Sequence, residues 1–179
     1  YPSETVLGVC DGSRWNPTYQ EFRPLAAGEW MPPGVTAGQW RQYVATGNYQ
    51  KVVYFDSMWR PVLSHEYDAS NVAPTLRSVR TTYDISGRVH FQSYPVPDLV
   101  PGNSGTRTFY DALDRVTRVE QDSEHSVLAT HTEYLPGLKT RVTNPRNFQT
   151  TTSFMAWDAP DYDLPLRSDQ PENKVIEIV

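Results

Sequence analysis

One short unit recurs along this chain, and it dictates a hairpin. In residues 106–120 an alternating segment (Thr106, Thr108, Tyr110) puts three side chains on one face of an extended strand, because successive strand residues point to opposite faces. Asp111-Ala112-Leu113-Asp114 then reads as a tight turn, and Arg115 to Glu120, rich in β-branched residues, as the returning strand. Imperfect copies stand at residues 79–91, with Ser86-Gly87 in the turn, and at residues 130–143, with Pro136-Gly137 there. Phe55-Asp56-Ser57-Met58-Trp59-Arg60 begins another. The aromatic residues before the turns, Phe55, Tyr83, Tyr110, Tyr134 and Phe154, are 28, 27, 24 and 20 residues apart. Self-similarity at that period marks an array whose units bury their faces on their neighbours. The unequal steps belong to the loops.

The residue types at the turns have backbone work to do. An Asp opening a turn accepts hydrogen bonds from N–H groups further on, which is the expectation for Asp56, Asp84 and Asp111. Gly87 supplies a position of positive φ, and Asp114, at the matching place, is one of the few other residues to visit that region. The aromatic before the turn offers a broad face to the next hairpin.

Composition agrees with such an array. Fifteen prolines argue against long helices and for many turns. Aromatics reach 12% while only 21% of residues are charged, the reverse of a disordered chain. The expected fold is therefore all-β, with repeated antiparallel hairpins forming a curved sheet. Residues 1–35 show no clean period and read as an irregular Pro/Gly-rich lead-in, with short strands at residues 6–10 and 19–22. The hairpin array is expected over residues 36–179 without a further boundary. Because the chain begins at Tyr1 rather than Met, we expect a piece of something longer.

These motifs carry a family resemblance. Tyr83-Asp84-Ile85-Ser86-Gly87-Arg88-Val89 and Tyr110-Asp111-Ala112-Leu113-Asp114-Arg115-Val116 resemble the YD repeats of Rhs-type proteins, whose pattern is Tyr-Asp-x-x-Gly-Arg followed by a strand. Residues 142–152, with Asn144-Pro145-Arg146-Asn147, resemble the linking Val-Thr-Asp-Pro-x-Gly segment of the same repeats. The resemblance spans residues 50–160 or so. Departures are Phe55 in place of Tyr, Trp59, Asp114 and Asn147 where glycine is usual, and Leu135 where Tyr134 should be followed by Asp.

The resemblance implies strips of hairpins that spiral into a hollow shell. In bacterial toxin-related proteins such a shell encloses a C-terminal toxin domain, and in animal cell-surface relatives comparable shells support adhesion. The self-cleaving core that closes bacterial shells is not recognisable in this sequence. The implied reading is a non-catalytic wall segment of a secreted or cell-surface bacterial protein. Its partners would be the rest of a longer chain and an enclosed toxin domain. Its site residues would be those of the repeat turns: Phe55, Asp56, Tyr83, Asp84, Gly87, Arg88, Tyr110, Asp111, Asp114, Arg115, Tyr134 and Gly137.

Other functions find less support. A net charge of −5 and a pI near 5.3 oppose binding to nucleic-acid backbones. The longest apolar runs, such as Val52-Val53-Tyr54-Phe55, are too short to span a bilayer as a helix. Cys10 alone excludes an internal disulfide and a cysteine metal cluster. Asp158-x-x-Asp161-x-Asp163 has oxygen ligands for calcium but not the EF-hand spacing, so turn capping is the expectation. His125 and His131, with Glu124 and Glu133, are too few and too uncertainly placed for zinc. His65, Glu66 and His90 read as ordinary surface residues. Neither Gly102-Asn103-Ser104-Gly105-Thr106 nor any Gly-rich loop supplies a hydrolase or phosphate motif. We therefore expect no enzyme, no metal and no cofactor. Among Trp15, Trp30, Trp40, Trp59 and Trp157, Trp40 and Trp59 are the candidates for stacking on a carbohydrate or a surface protein, with packing between layers the favoured reading.

Overall fold

Hairpin follows hairpin through the chain. The computed structural model describes residues 16–157, 160–171 and 174–177. Among them are thirteen strands and a single four-residue helix. The strands are β1 (Thr18–Pro24), β2 (Trp40–Thr46), β3 (Tyr49–Phe55), β4 (Pro61–Asp68), β5 (Arg77–Tyr83), β6 (Val89–Ser93), β7 (Gly105–Tyr110), β8 (Val116–Asp122), β9 (Val127–Leu135), β10 (Lys139–Thr143), β11 (Gln149–Phe154), β12 (Pro165–Gln170) and β13 (Lys174–Glu177); the helix, α1, is Val72–Thr75. The all-β expectation of repeated antiparallel hairpins holds. The strands expected at residues 6–10 and Cys10 itself lie outside the described residues.

The chain divides into two compact units. The first comprises residues 1–83 and 92–104, and the second residues 84–91 and 105–179, so that β6 contributes residues to both. In the first, β1 to β5 pair antiparallel in sequence order. In the second, β7, β8 and β9 pair in order, as do β9 to β13.

Among the described residues, only one face of the first unit is covered. Strand register sets Tyr43, Val52, His65 and Ser78 side by side, and Arg41, Tyr54, Leu63 and Arg80 in the next row. Residues of these rows are the buried ones: Val52 and Tyr54 are 7% exposed, Leu63 3%, His65 4% and Ser78 0%. Alternate residues, such as Val53 and Ser64, stay partly open. The cover comes from the segment between β1 and β2, whose Leu25, Val35 and Met31 pack on Val52, Tyr54 and Leu63. This segment, expected to be irregular, is tied down by its own turns. Leu25 N–H donates to Gln39 O at 2.7 Å and Gly38 N–H to Leu25 O at 2.9 Å. Glu29 accepts from Ala26 N–H at 3.0 Å and pairs with Arg23. The Arg23 hydrogen bond brings the Glu29 carboxyl down to about 2.

His65 corrects a sequence expectation. Far from the surface, it is buried, its ring against those of Trp30 and Tyr54, with Nε2 3.1 Å from Leu99 O. Burial lowers its pKa against the opposing pull of the Leu99 carbonyl, so the ring is held neutral. The Pro/Gly-rich loop before β7 supplies that carbonyl. Val96 forms a bridge with Ser78, and Pro101 is fully buried. Pro101 is thus a buried point in a loop whose other residues are mostly exposed.

Among the described residues the second unit has no such cover. Most residues of β7 to β11 are half-buried on both faces. Threonines line one face, with Thr132 opposite Val142, Val142 opposite Thr150, and Thr140 between Tyr134 and Thr152. Charged residues line the other, where Arg118 stands opposite His131 and Glu133 opposite Arg141.

The asymmetry of the first unit predicts how unevenly side chains contribute. Leu63→Ala, which empties a site 3% exposed, is expected to lower unfolding free energy by about 2–5 kcal/mol in urea denaturation. Leu113→Ala, at a turn apex 71% exposed, should stay within about 0.5 kcal/mol of the parent.

Candidate functional site

Four turns share one hydrogen-bond pattern. At Asp84, the backbone N–H donates to Arg88 O at 2.9 Å, and Gly87 N–H donates to Asp84 O at 3.0 Å. Oδ1 accepts from Ser86 N–H and Arg88 N–H, both at 2.9 Å. Oδ2 takes Arg88 Nε and Nη2, each at 2.7 Å. The same set recurs at Asp56 with Met58 and Arg60, and at Asp111 with Leu113 and Arg115. These are three-residue hairpin loops closed by a residue at positive φ. That residue is Trp59 (φ 62°), Gly87 (85°) or Asp114 (62°). The positions inferred to stand in for glycine do adopt its conformation.

The fourth turn shows which atoms matter for the backbone. Asn144 Oδ1 accepts from Arg146 N–H at 2.9 Å and Phe148 N–H at 3.1 Å, and Asn147 closes the loop at φ 63°. An amide oxygen does this as well as a carboxylate. What is missing is a cation, because Phe148 occupies the place of the arginine. Gly137 lies in a different turn, beside Leu138, both at positive φ and with no Asp to accept.

The arginines of the first three turns reach the aromatic of the following repeat. Arg60 Cζ sits 4.4 Å from the Tyr83 ring centroid, Arg88 4.6 Å from Tyr110, and Arg115 4.0 Å from Tyr134. Each tyrosine hydroxyl donates to the carbonyl just after that arginine: Tyr83 to Pro61 O at 2.8 Å, Tyr110 to Val89 O at 2.9 Å, and Tyr134 to Val116 O at 3.2 Å. Arg88 also pairs with Asp114 at 2.6 Å and donates to Asp111 O at 3.0 Å. The expected turn residues from Asp56 to Arg115 thus all take part in these contacts, and Asp111 is committed to backbone and Arg115.

A second feature, missed by the sequence, accompanies the turns. Just before three of the aromatics the register slips by one, though not at Tyr134: Tyr54 faces Leu63 but Phe55 faces Pro61, and Phe109 faces Arg118 but Tyr110 faces Val116. Ser153 faces Arg167 and Phe154 faces Pro165 in the same way. The returning strand carries one extra residue, a β-bulge that increases local twist. No residue type announces it.

Trp40 and Trp59 do come together, with a partner outside the repeat. Phe22 of β1 stacks on Trp40 at 4.9 Å and 19°, Trp40 on Trp59 at 5.1 Å and 29°, and Phe22 lies 5.6 Å from Trp59. Trp59 is 56% exposed and Phe22 48%. A bulky residue at positive φ carries strain of about 1–2 kcal/mol; stacking on Trp40 offsets it. By contrast, Trp30 lies over Tyr54 and His65 as part of the core cover. Trp15 lies outside the described residues.

The remaining candidates are dispersed. The second unit bears a shallow groove of about 650 Å³, lined among others by Phe109, Arg118, His131, Glu133 and Tyr134. Arg118 there covers the Phe109 ring at 3.8 Å, and Glu133 pairs with Arg141 at 3.2 Å. Asp161 Oδ1 accepts from Asp163 N–H at 3.2 Å, an Asx turn, while Asp158 lies outside the described residues. Among the described residues no three His, Cys, Asp or Glu side chains gather as a metal site, and no helix is long and apolar enough to cross a membrane.

Two outcomes follow from the turns. Asp84→Asn, which keeps the acceptor of Asn144, should lower the melting midpoint distinctly less than Asp84→Ala in calorimetry. Acid titration probes the carboxylates together. Burial opposes the charged form at Asp56 and Asp111, but hydrogen bonds from Arg60 and Arg115 outweigh it; at Asp84 the Arg88 hydrogen bond leads. All three pKa values fall below the ordinary one. Their stabilisation is thus complete above the unfolded-state value of about 3.9 and is lost as pH drops through the lower folded values. Stability measured in urea should decline steeply below about pH 4, and by less in a variant with all three changed to Asn.

Compared with known proteins, the chain matches no family model and no curated protein.

Proposed function

We propose that this chain is a wall segment of an Rhs/YD-repeat shell, a secreted or cell-surface bacterial structure whose task is to enclose a toxin or effector domain. The observation that carries the reading is the thrice-repeated link in which Arg60, Arg88 and Arg115 each cover the next repeat's tyrosine while that tyrosine donates back to the previous turn. Such a link commits the Tyr-Asp pair to extending a wall, hairpin by hairpin. The acids of the motif spend their lone pairs on backbone N–H groups and arginine, which suits a scaffold. Among the described residues of each unit, β13 pairs with β12 on one side only and β1 with β2 only. Such edges suit continuation by further strands.

Electron microscopy of the full product of the reading frame that contains this segment checks the proposal. A hollow shell with these hairpins in its wall and a separate domain inside is the expected result. An open strip enclosing no volume overturns it.

A further inference from the structure

We propose that the uncovered face of the first unit binds a neutral saccharide. Phe22, Trp40 and Trp59 form the stacking platform, and Gln42, Ser64, Thr81 and Gln92 the hydrogen-bonding floor beside it. The site stands independently of the shell reading.

Strand register brings these groups to one face. Phe22, Gln42, Val53, Ser64 and Val79 lie opposite one another in a single row across β1 to β5. Thr81, two residues beyond Val79 in β5, points the same way. The opposite face is the one covered by the Leu25–Val35 segment, and on this face Phe22 and Trp59 stay 48% and 56% exposed. It holds a groove of about 370 Å³ lined by Gln42, Val53, Phe55, Ser64, Thr81 and Gln92. That volume lies within the roughly 300–1,000 Å³ of small-molecule sites. Phe55 joins groove to platform, its ring 5.8 Å from Phe22 and edge-on to it.

A pyranose presents flat faces of C–H groups and a rim of hydroxyls that both donate and accept. The exposed portions of Trp59 and Phe22 suit the faces. Amide and hydroxyl side chains suit the rim, because each carries a donor and an acceptor and can serve a sugar hydroxyl in either sense. Charge selects the neutral class. Lys51, the cation lining the groove, is paired with Glu66 at 2.7 Å, so an anionic sugar gains no free counter-charge from it. Trp59 adds an independent observation. It holds a large aromatic ring half in solvent at φ 62°, in a turn whose counterpart uses Gly87.

Titrating the chain with cellohexaose, maltohexaose and chitohexaose, followed by tryptophan fluorescence and saturation-transfer NMR, tests the site. At least one is expected to bind with Kd on the order of 0.1–5 mM. Trp59→Gly should weaken that binding at least about tenfold with an unchanged far-UV circular dichroism spectrum, since glycine adopts the required φ freely. Gln42→Ala should weaken it several-fold, and Trp40→Ala at least as much as Trp59→Gly. The two other variants decide the matter if Trp40→Ala fails to fold. Absence of saturation transfer from all three sugars overturns the proposal. So does binding that survives Trp59→Gly and Gln42→Ala, and so does tighter binding of oligogalacturonate or of a proline-rich peptide.

Discussion

The structure depends on how one aspartate divides its two oxygens. At Asp84, Oδ1 is taken up by two backbone N–H groups and shapes the loop, while Oδ2 is taken up by Arg88. The first interaction fixes the hairpin; the second fixes the arginine. A guanidinium is planar and rigid, so once one edge is held by a carboxylate its face points in a set direction. In three repeats that face lies on the tyrosine of the next hairpin. The turn thus supplies both local geometry and the contact that stacks hairpins. Exposed ion pairs ordinarily contribute little. Here the pair matters as a positioning device more than as a charge interaction.

The two units use this device against different backgrounds. In the first, the segment between β1 and β2 covers one face and creates a small core around Leu25, Val52 and Leu63. The other face carries aromatic rings at one end and an amide and hydroxyl floor beside them. In the second unit neither face of β7 to β11 is deeply buried. Order there rests more on backbone ladders, cross-strand pairs and the arginine–tyrosine contacts than on hydrophobic burial. Threonine suits such strands: its β-branched form fits the pleat, and its hydroxyl can stay hydrated.

The hairpins were legible in the sequence because period-two alternation and Asp/Gly turns are local signals. The positive φ at Trp59, Asp114 and Asn147 was legible only by alignment with Gly87, since Trp gives no hint of it by itself. Three things were not legible. The core cover, residues 25–39, has no period because its buried residues (Leu25, Met31, Val35) hang from successive turns rather than from one element. The burial of His65 depends on Leu99, 34 residues away, and no local pattern encodes that distance. The bulges follow no one loop length, since the β10–β11 pairing around the Asn144 turn has none while β11 and β12 carry one across a longer connection, and any side chain accepts the extra position. For the stacking cluster, Trp40 and Trp59 were visible but Phe22 was not, because its place beside them is set by the pairing of β1 with β2.

The adjacency of tyrosine and aspartate then has a physical reason. Tyr83 takes the face of Arg60 and gives its proton to Pro61 O, and its neighbour Asp84 builds the next turn and aims Arg88 onward. One residue receives the previous repeat and the next residue transmits to the following one. Degenerate copies separate the two roles. Tyr134 still receives Arg115, but Leu135 follows it, so the relay stops there. Asn144 still shapes a turn, but Phe148 carries no charge, so that turn transmits nothing. Phe55 has no hydroxyl to give, yet Asp56 beside it aims Arg60 at Tyr83. Loss of either residue therefore costs a single function. A repeat with one of the two can decay in sequence and still hold its hairpin, because the backbone asks only for an acceptor oxygen at the first turn position and a residue that tolerates positive φ three places later.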